Sequence, residues 1–269
     1  MTKARENSDY TGLAADIVAG DTAARAGRKN LILNGGFDVW QRGTSFTSPS
    51  VYAYTADRWL CNGSPTSVTK SSNGLTFVTD GDEGMGQRIE LLGNNFTTGQ
   101  VYTISFYVTC SVANLYVNGT YRNSNTYAAL AFSTATVTSQ VVVGSEVKIT
   151  ATVTILSSQD LATQNTLQIA INSTVANTIT IREVQLELGS VATDFEHRSY
   201  GEILADCQRY AQFNASAYFR TYNSTTGSMS LSFFTPMRAT PSATLVNGTN
   251  AVLDVGTSYR NITAIGGLE

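Results

Sequence analysis

Val147-Lys-Ile-Thr-Ala-Thr-Val-Thr-Ile155 alternates without a break. Val147, Ile149, Ala151, Val153 and Ile155 fall on one side, and Lys148, Thr150, Thr152 and Thr154 on the other. Successive residues of a β-strand point to opposite faces, so this period of two specifies a strand with an apolar face and a hydroxyl face. Residues 102–110 repeat the rule, with Ile104, Phe106, Val108 and Cys110 inward. Outward from these two, strands are expected at 87–92, 115–121, 127–132, 140–143, 167–171 and 178–188. In the last, apolar parity changes between Ile181 and Val184, which predicts a β-bulge at Arg182 and Glu183. Turns are expected at Asn73-Gly74, Gly93-Asn94-Asn95, Asn118-Gly119 and Gly189. Eight or more short strands with almost no helix predict an all-β chain, a two-sheet sandwich of jelly-roll type.

Composition agrees. The 269 residues include 37 Thr, as many as the 17 Lys and Arg and the 20 Asp and Glu together. Charged residues make up 14%, against about 25% in ordinary globular domains. Thr is β-branched and keeps the wet face of a strand polar without charge. A net charge of −3 argues against nucleic acid as a partner. No run of 18 apolar residues and no signal-peptide core occurs, so neither membrane insertion nor a signal-directed export route is expected. Cys61, Cys110 and Cys207 form no CxxC pair, and an odd count gives no disulfide framework, so buried thiols are expected.

Three regions follow from the patterning. Residues 1–29 are small, polar and charged, with one apolar cluster at Leu13, Ile17 and Val18 that is too short for a stable helix. Residues 30–199 carry the sandwich. In 200–269 the period first switches: Ile203, Cys207 and Tyr210 share a face with Leu204 and Ala211, predicting a helix over 200–212. Strands resume at 217–222, 228–234, 243–246, 251–255 and 261–265, and Pro236 and Pro241 mark a loop or sheet edge. These last residues are few for an independent core, so neighbouring copies are a candidate source of burial.

Four phrases stand out from this background. They are Asn30-Leu-Ile-Leu-Asn-Gly-Gly-Phe-Asp-Val-Trp-Gln-Arg-Gly-Thr-Ser-Phe46, Tyr54-Thr-Ala-Asp-Arg-Trp59, Val184-Gln-Leu-Glu-Leu-Gly-Ser-Val-Ala-Thr-Asp-Phe-Glu-His-Arg-Ser199 and Cys207-Gln-Arg-Tyr210. In this order, around a Thr-rich β middle, they resemble the jelly-roll tail-fibre and receptor-binding proteins of tailed bacteriophages, and the jelly roll resembles carbohydrate-binding modules. The resemblance implies a virion protein made in the host cytoplasm. Residues 1–29 would attach it to tail or baseplate proteins, self-association as a homotrimer is implied, and the ligand would be host-surface polysaccharide or lipopolysaccharide. Trp40, Arg42, Asp57, Arg58, Trp59, Gln185, Glu187, Arg209 and Tyr210 are its structural signature. A collar, adaptor or decoration protein without receptor contact is the alternative, and a polysaccharide depolymerase a third.

No catalytic residues are assigned, and the chain is read as a non-enzyme. The single His197 has no metal-ligand partners at suitable spacing, and no G-x-S-x-G elbow occurs. Depolymerases need two close carboxylates, for which Asp38 with Asp57, or Glu183 with Glu187, are the pairs to inspect. No cofactor is expected; Asp80, Asp82 and Glu83 could offer a structural Ca²⁺ oxygen ligands, but lack the length of an EF-hand loop. Sugar faces stack on exposed aromatic rings. Tyr107 and Tyr116, out of phase with the inward positions, and Tyr52 and Tyr54, on one side near Trp59, are the ligand-binding candidates.

Overall fold

The computed structural model describes residues 28–213 except 92–95, 124 and 161, and beyond them 216–221, 227–232, 235–237, 242–244 and 252–254. The chain divides into two compact units, 1–198 and 199–269. The attachment arm proposed for residues 1–29 lies, up to residue 27, outside the described residues, as do the expected turn at 93–95 and the strand at 261–265.

Eleven strands build the first unit: β1 (Ser45–Thr47), β2 (Trp59–Asn62), β3 (Ser67–Lys70), β4 (Leu75–Thr79), β5 (Glu83–Glu90), β6 (Val101–Cys110), β7 (Tyr116–Asn123), β8 (Thr126–Thr136), β9 (Val147–Thr154), β10 (Thr166–Ser173) and β11 (Asn177–Leu188). They form a six-stranded sheet, β1-β3-β4-β11-β6-β9, and a five-stranded sheet, β2-β5-β10-β7-β8. From β4 onward the chain crosses from sheet to sheet except at the β7–β8 hairpin, and every pairing is antiparallel. This is a jelly-roll β-sandwich.

The inward rows predicted from parity form the core. Ile149 and Val153 of β9, Ile104, Phe106, Val108 and Cys110 of β6, and Ile179, Ile181, Val184 and Leu186 of β11 are all buried. They meet Met85, Ile89, Val117, Tyr121, Leu167, Ile169 and Ile171 from the other sheet in one cluster. The expected bulge is present: β11 pairs with β6 in register to Arg182, and the register shifts before Gln185. Glu183 takes φ +52°, a left-handed conformation uncommon for a residue with a Cβ. Burial pushes the Cys61 thiol up to about 12, with the Glu83 charge adding to it, and all three cysteines are free and buried.

Two expectations are corrected. Residues 140–143 are not a strand; a 3₁₀ turn spans Thr138–Gln140, and Val142 and Val143 are exposed. There the Gln140 side chain pairs with the chain instead of its backbone: Nε2 donates to Thr150 O and Oε1 accepts from Thr150 N, both at 3.0 Å. Asn118-Gly119 is not a turn, because both residues lie within β7. Gly119 is required by packing: a Cβ there would lie 2.0 Å from the Phe132 ring.

The front and back phrases, more than 150 residues apart, join in one clasp. Leu31 N donates to Leu186 O, and Val184 N to Gly35 O, both at 2.9 Å. Asn30 bridges the phrases, its Nδ2 donating to Val184 O and its Oδ1 accepting from Leu186 N. Gly35 is compelled by this approach, since a Cβ would lie 2.1 Å from Val184 O. Trp59 Nε1 donates to Asn34 O at 3.0 Å, and its ring packs on Phe37 at 4.8 Å. Trp40 donates to Phe37 O. Asp57 is buried and accepts from Gln41 N, Gln41 Nε2 and Arg42. Arg58, at φ +72°, donates to Arg88 O. After β11 the chain turns back over Gln185 and Glu187. Thr193 donates to Glu187 by N–H and hydroxyl, and Glu196 N donates to Gln185 Oε1.

In the second unit, α1 spans Tyr200–Gln208 and is shorter than expected. Ser199 and Glu202 form a capping box at its start, Ile203 and Cys207 are buried, Arg209 is its C-cap, and Tyr210 N donates to Cys207 O. Two hairpins follow, β12 (Ser216–Thr221) with β13 (Gly227–Ser232), and β14 (Ser242–Thr244) with β15 (Val252–Asp254).

Candidate functional site

Most inward residues of the five-stranded sheet are apolar, and its outward face carries four amides, Asn62, Asn118, Gln168 and Asn172. Register places them in cross-strand rows: Asn62, Gly84, Asn172 and Tyr116; then Leu60, Gly86, Ala170 and Asn118; then Arg88, Gln168 and Thr120. Gly86 and Ala170 give the middle of the face a low floor. A Cβ on Gly84 would meet Ile171 O at 2.1 Å and Asn172 Oδ1 at 2.4 Å, so any side chain there would displace the Asn172 amide.

Across this floor runs an unbroken chain of side-chain hydrogen bonds. Arg88 Nε donates to Gln168 Oε1 at 3.1 Å, and Gln168 Nε2 to Asn62 Oδ1 at 3.0 Å. Asn62 Nδ2 donates to Asn172 Oδ1 at 2.7 Å, and Asn172 Nδ2 to Asn118 Oδ1 at 3.4 Å. Each bond fixes the next amide, and aligned dipoles strengthen one another. A primary amide has two N–H donors and two lone pairs, and the chain consumes only part of each set. At one end, Arg88 Nη2 and Thr166 Oγ1 are buried without a partner among the described residues. Such orphaned atoms on a surface sheet are suited to water or a ligand.

Tyrosines and arginines edge the face. Tyr52 lies against the guanidinium groups of Arg88 and Arg122, at 5.0 and 5.6 Å, and its hydroxyl accepts from Arg122 Nη1 at 3.0 Å. Tyr54 lies 5.4 Å from the Arg42 guanidinium. Burial pulls Arg88 below its ordinary range; the nearby Tyr54 opposes this, and the Arg122 charge adds to it. Tyr116 donates its hydroxyl to Asp82, and burial, then that bond and the Asp82 charge, raise its pKa.

Of the four tyrosines singled out from sequence, Tyr52, Tyr54 and Tyr116 thus come together around one face, and each already holds a polar or cationic partner. Tyr107 lies on the outer face of the other sheet, its ring 3.9 Å from the Arg182 guanidinium. The amides themselves were missed. Their signal was in the sequence: Gln168 and Asn172 occupy alternate positions in an otherwise apolar strand, where Thr or Ser serves elsewhere.

The acidic groups lie outside this face's centre. Asp57 is buried in the clasp, and Glu187 is buried beneath Thr193, whereas Glu183 lies at the bulge and binds Arg182. Glu83 accepts from Ser64 N and Asp80 N. Among the described residues no group of three metal-ligating side chains is placed to hold an ion, and no helix is long and apolar enough to cross a membrane.

No family model matches the chain, and no curated protein matches it. Solved structures with a similar fold include a CBM4 structure, at 17% identity and TM-score 0.41, covering 58% of this chain and 98% of that one. The CBM22-1 xylan-binding domain from Paenibacillus barcinonensis is 17% identical at TM-score 0.34, covering 55% and 94%. A cyclase from Fischerella sp. is 11% identical at TM-score 0.40, covering 60% and 96%. At such distances these likenesses say nothing of the ligand of this chain.

Proposed function

We propose that this chain is a non-catalytic glycan-binding protein whose ligand lies along the outer face of the five-stranded sheet, and that it serves in a bacteriophage tail fibre as a receptor-binding component. The observation that carries the glycan reading is the continuous amide chain from Arg88 to Asn118. Sugar hydroxyls both donate and accept, and amides held in one orientation match them without charge. Preorganisation matters because side chains already fixed lose little entropy on binding. The phage reading rests on the four phrases and on the low charge. In a fibre, several weak sites on one rigid particle add up to firm attachment, which suits a homotrimer joined to the tail through residues 1–29.

Titration of the protein with capsular polysaccharide and lipopolysaccharide extracted from candidate hosts tests this. Binding should weaken by about tenfold in Asn62→Ala and Asn118→Ala, each removing hydrogen bonds worth about 1 kcal/mol net, while a native circular-dichroism spectrum shows that the variants fold. Undiminished binding in both variants would overturn the assigned face. Failure to bind any glycan would favour the collar or adaptor reading.

A further inference from the structure

The outer face of the six-stranded sheet carries a second feature. Where β11 bulges and the chain turns back, a pocket of about 360 Å³ opens between the returning segment and β6 and β9. Ser105 and Tyr107 line it from β6, Lys148 from β9, Glu183 from the bulge, and Asp194, Phe195 and His197 from the returning segment. The volume falls at the small end of the range of about 300–1,000 Å³ usual for small-molecule sites.

Its walls are fixed. Arg182 holds Glu146 through two parallel bonds of 2.8 and 2.7 Å, binds Glu183, and covers the Tyr107 ring. The returning segment is pinned beside the pocket, Gln185 Oε1 accepting from Glu196 N and Gln185 Nε2 donating to Asp194 O. The Phe195 and His197 rings meet edge to face, centroids 5.0 Å apart. Glu183 keeps its left-handed backbone at this spot, and strain of this kind concentrates at functional positions. Several polar groups that face the space keep hydrogen-bonding capacity, although the Lys148 ammonium lies over the Tyr107 ring, 5.9 Å from its centroid. The Lys148 ammonium, the Asp194 carboxylate, the Ser105 hydroxyl and the His197 imidazole make no hydrogen bond or ion pair among the described residues.

We infer that this pocket is a second glycan subsite, taking a single neutral hexopyranose, independent of the amide face on the other sheet. Carboxylates at Asp194 and Glu183 accept from adjacent sugar hydroxyls, Lys148 and Ser105 donate to others, and the rings of Phe195 and His197 meet C–H groups. Neutrality follows from the mixture of signs: an acidic sugar meets Asp194 and Glu183, and a cationic one meets Lys148. The small volume selects one sugar unit. This inference extends the glycan reading to a separate place, and the two fail separately.

The full-length protein is titrated by saturation-transfer NMR with glucose, galactose, mannose, rhamnose and N-acetylglucosamine, beside Lys148→Ala, Asp194→Asn and Asn118→Ala. At least one sugar should bind, with affinity reduced about tenfold or more in Lys148→Ala and Asp194→Asn, and Asn118→Ala separates any binding on the amide face from binding in the pocket. Both pocket variants alter exposed side chains, and an unchanged melting temperature shows that they fold. Absence of binding by all five sugars, or binding that only Asn118→Ala weakens, overturns the pocket. Polysaccharide binding lost in Asn62→Ala but retained in Asp194→Asn still supports the amide face.

Discussion

Glu187 shows how one buried carboxylate holds the segment that turns back after β11. It is buried, and burial alone would raise its pKa. Hydrogen bonds from the Thr193 N–H, the Thr193 hydroxyl and the Gln185 amide, with the Lys29 charge, outweigh that and hold it below its ordinary 4.5. A carboxylate depressed in the folded state contributes its full stability above its unfolded pKa and loses it as pH falls through the folded value. Stability measured by urea denaturation should therefore decline as pH drops below about 4.5. Glu187→Gln should be less stable at pH 7 and show a shallower decline over the same range. An identical acid profile in the variant would remove Glu187 from the account.

At the scale of elements, the strands that alternate cleanly were legible, and those that do not were missed. β6, β9 and β11 are long enough for apolar residues to recur at every second position, cleanly in β9, where one face is buried and the other wet. β1 to β4 are three to five residues long, too short for periodicity to rise above chance. Residues 140–143 misled in the opposite direction: Val141, Val142 and Val143 look like a strand, yet what pairs with β9 is a single glutamine side chain. The candidate face was legible only as three tyrosines, because assembling amides from β2, β5, β7 and β10 requires a register that no local pattern supplies. Gln140 also shields part of the β9 edge, which would otherwise offer unpaired backbone groups to another chain. In Gln140→Ala the Thr150 amide should exchange with solvent at least several-fold faster by hydrogen-exchange mass spectrometry. Unchanged protection would show that the glutamine bonds do not persist in solution.

For the whole molecule, the first unit holds a complete core. Every residue of the hydrophobic cluster lies between Ile32 and Leu186, and the clasp closes with Glu196. A fragment spanning residues 28–198 should therefore fold alone and melt in one cooperative transition, by calorimetry and circular dichroism. A fragment lacking ordered β signal would show that the sandwich depends on residues after 198.

The clasp also decides how the sandwich would bear a pull. Residues 30 and 186 are bonded neighbours, and Glu196 Oε2 accepts from the backbone N–H groups of Lys29 and Asn30. Tension applied at residues 29 and 197 would thus run across this one seam and leave the eleven strands unstretched.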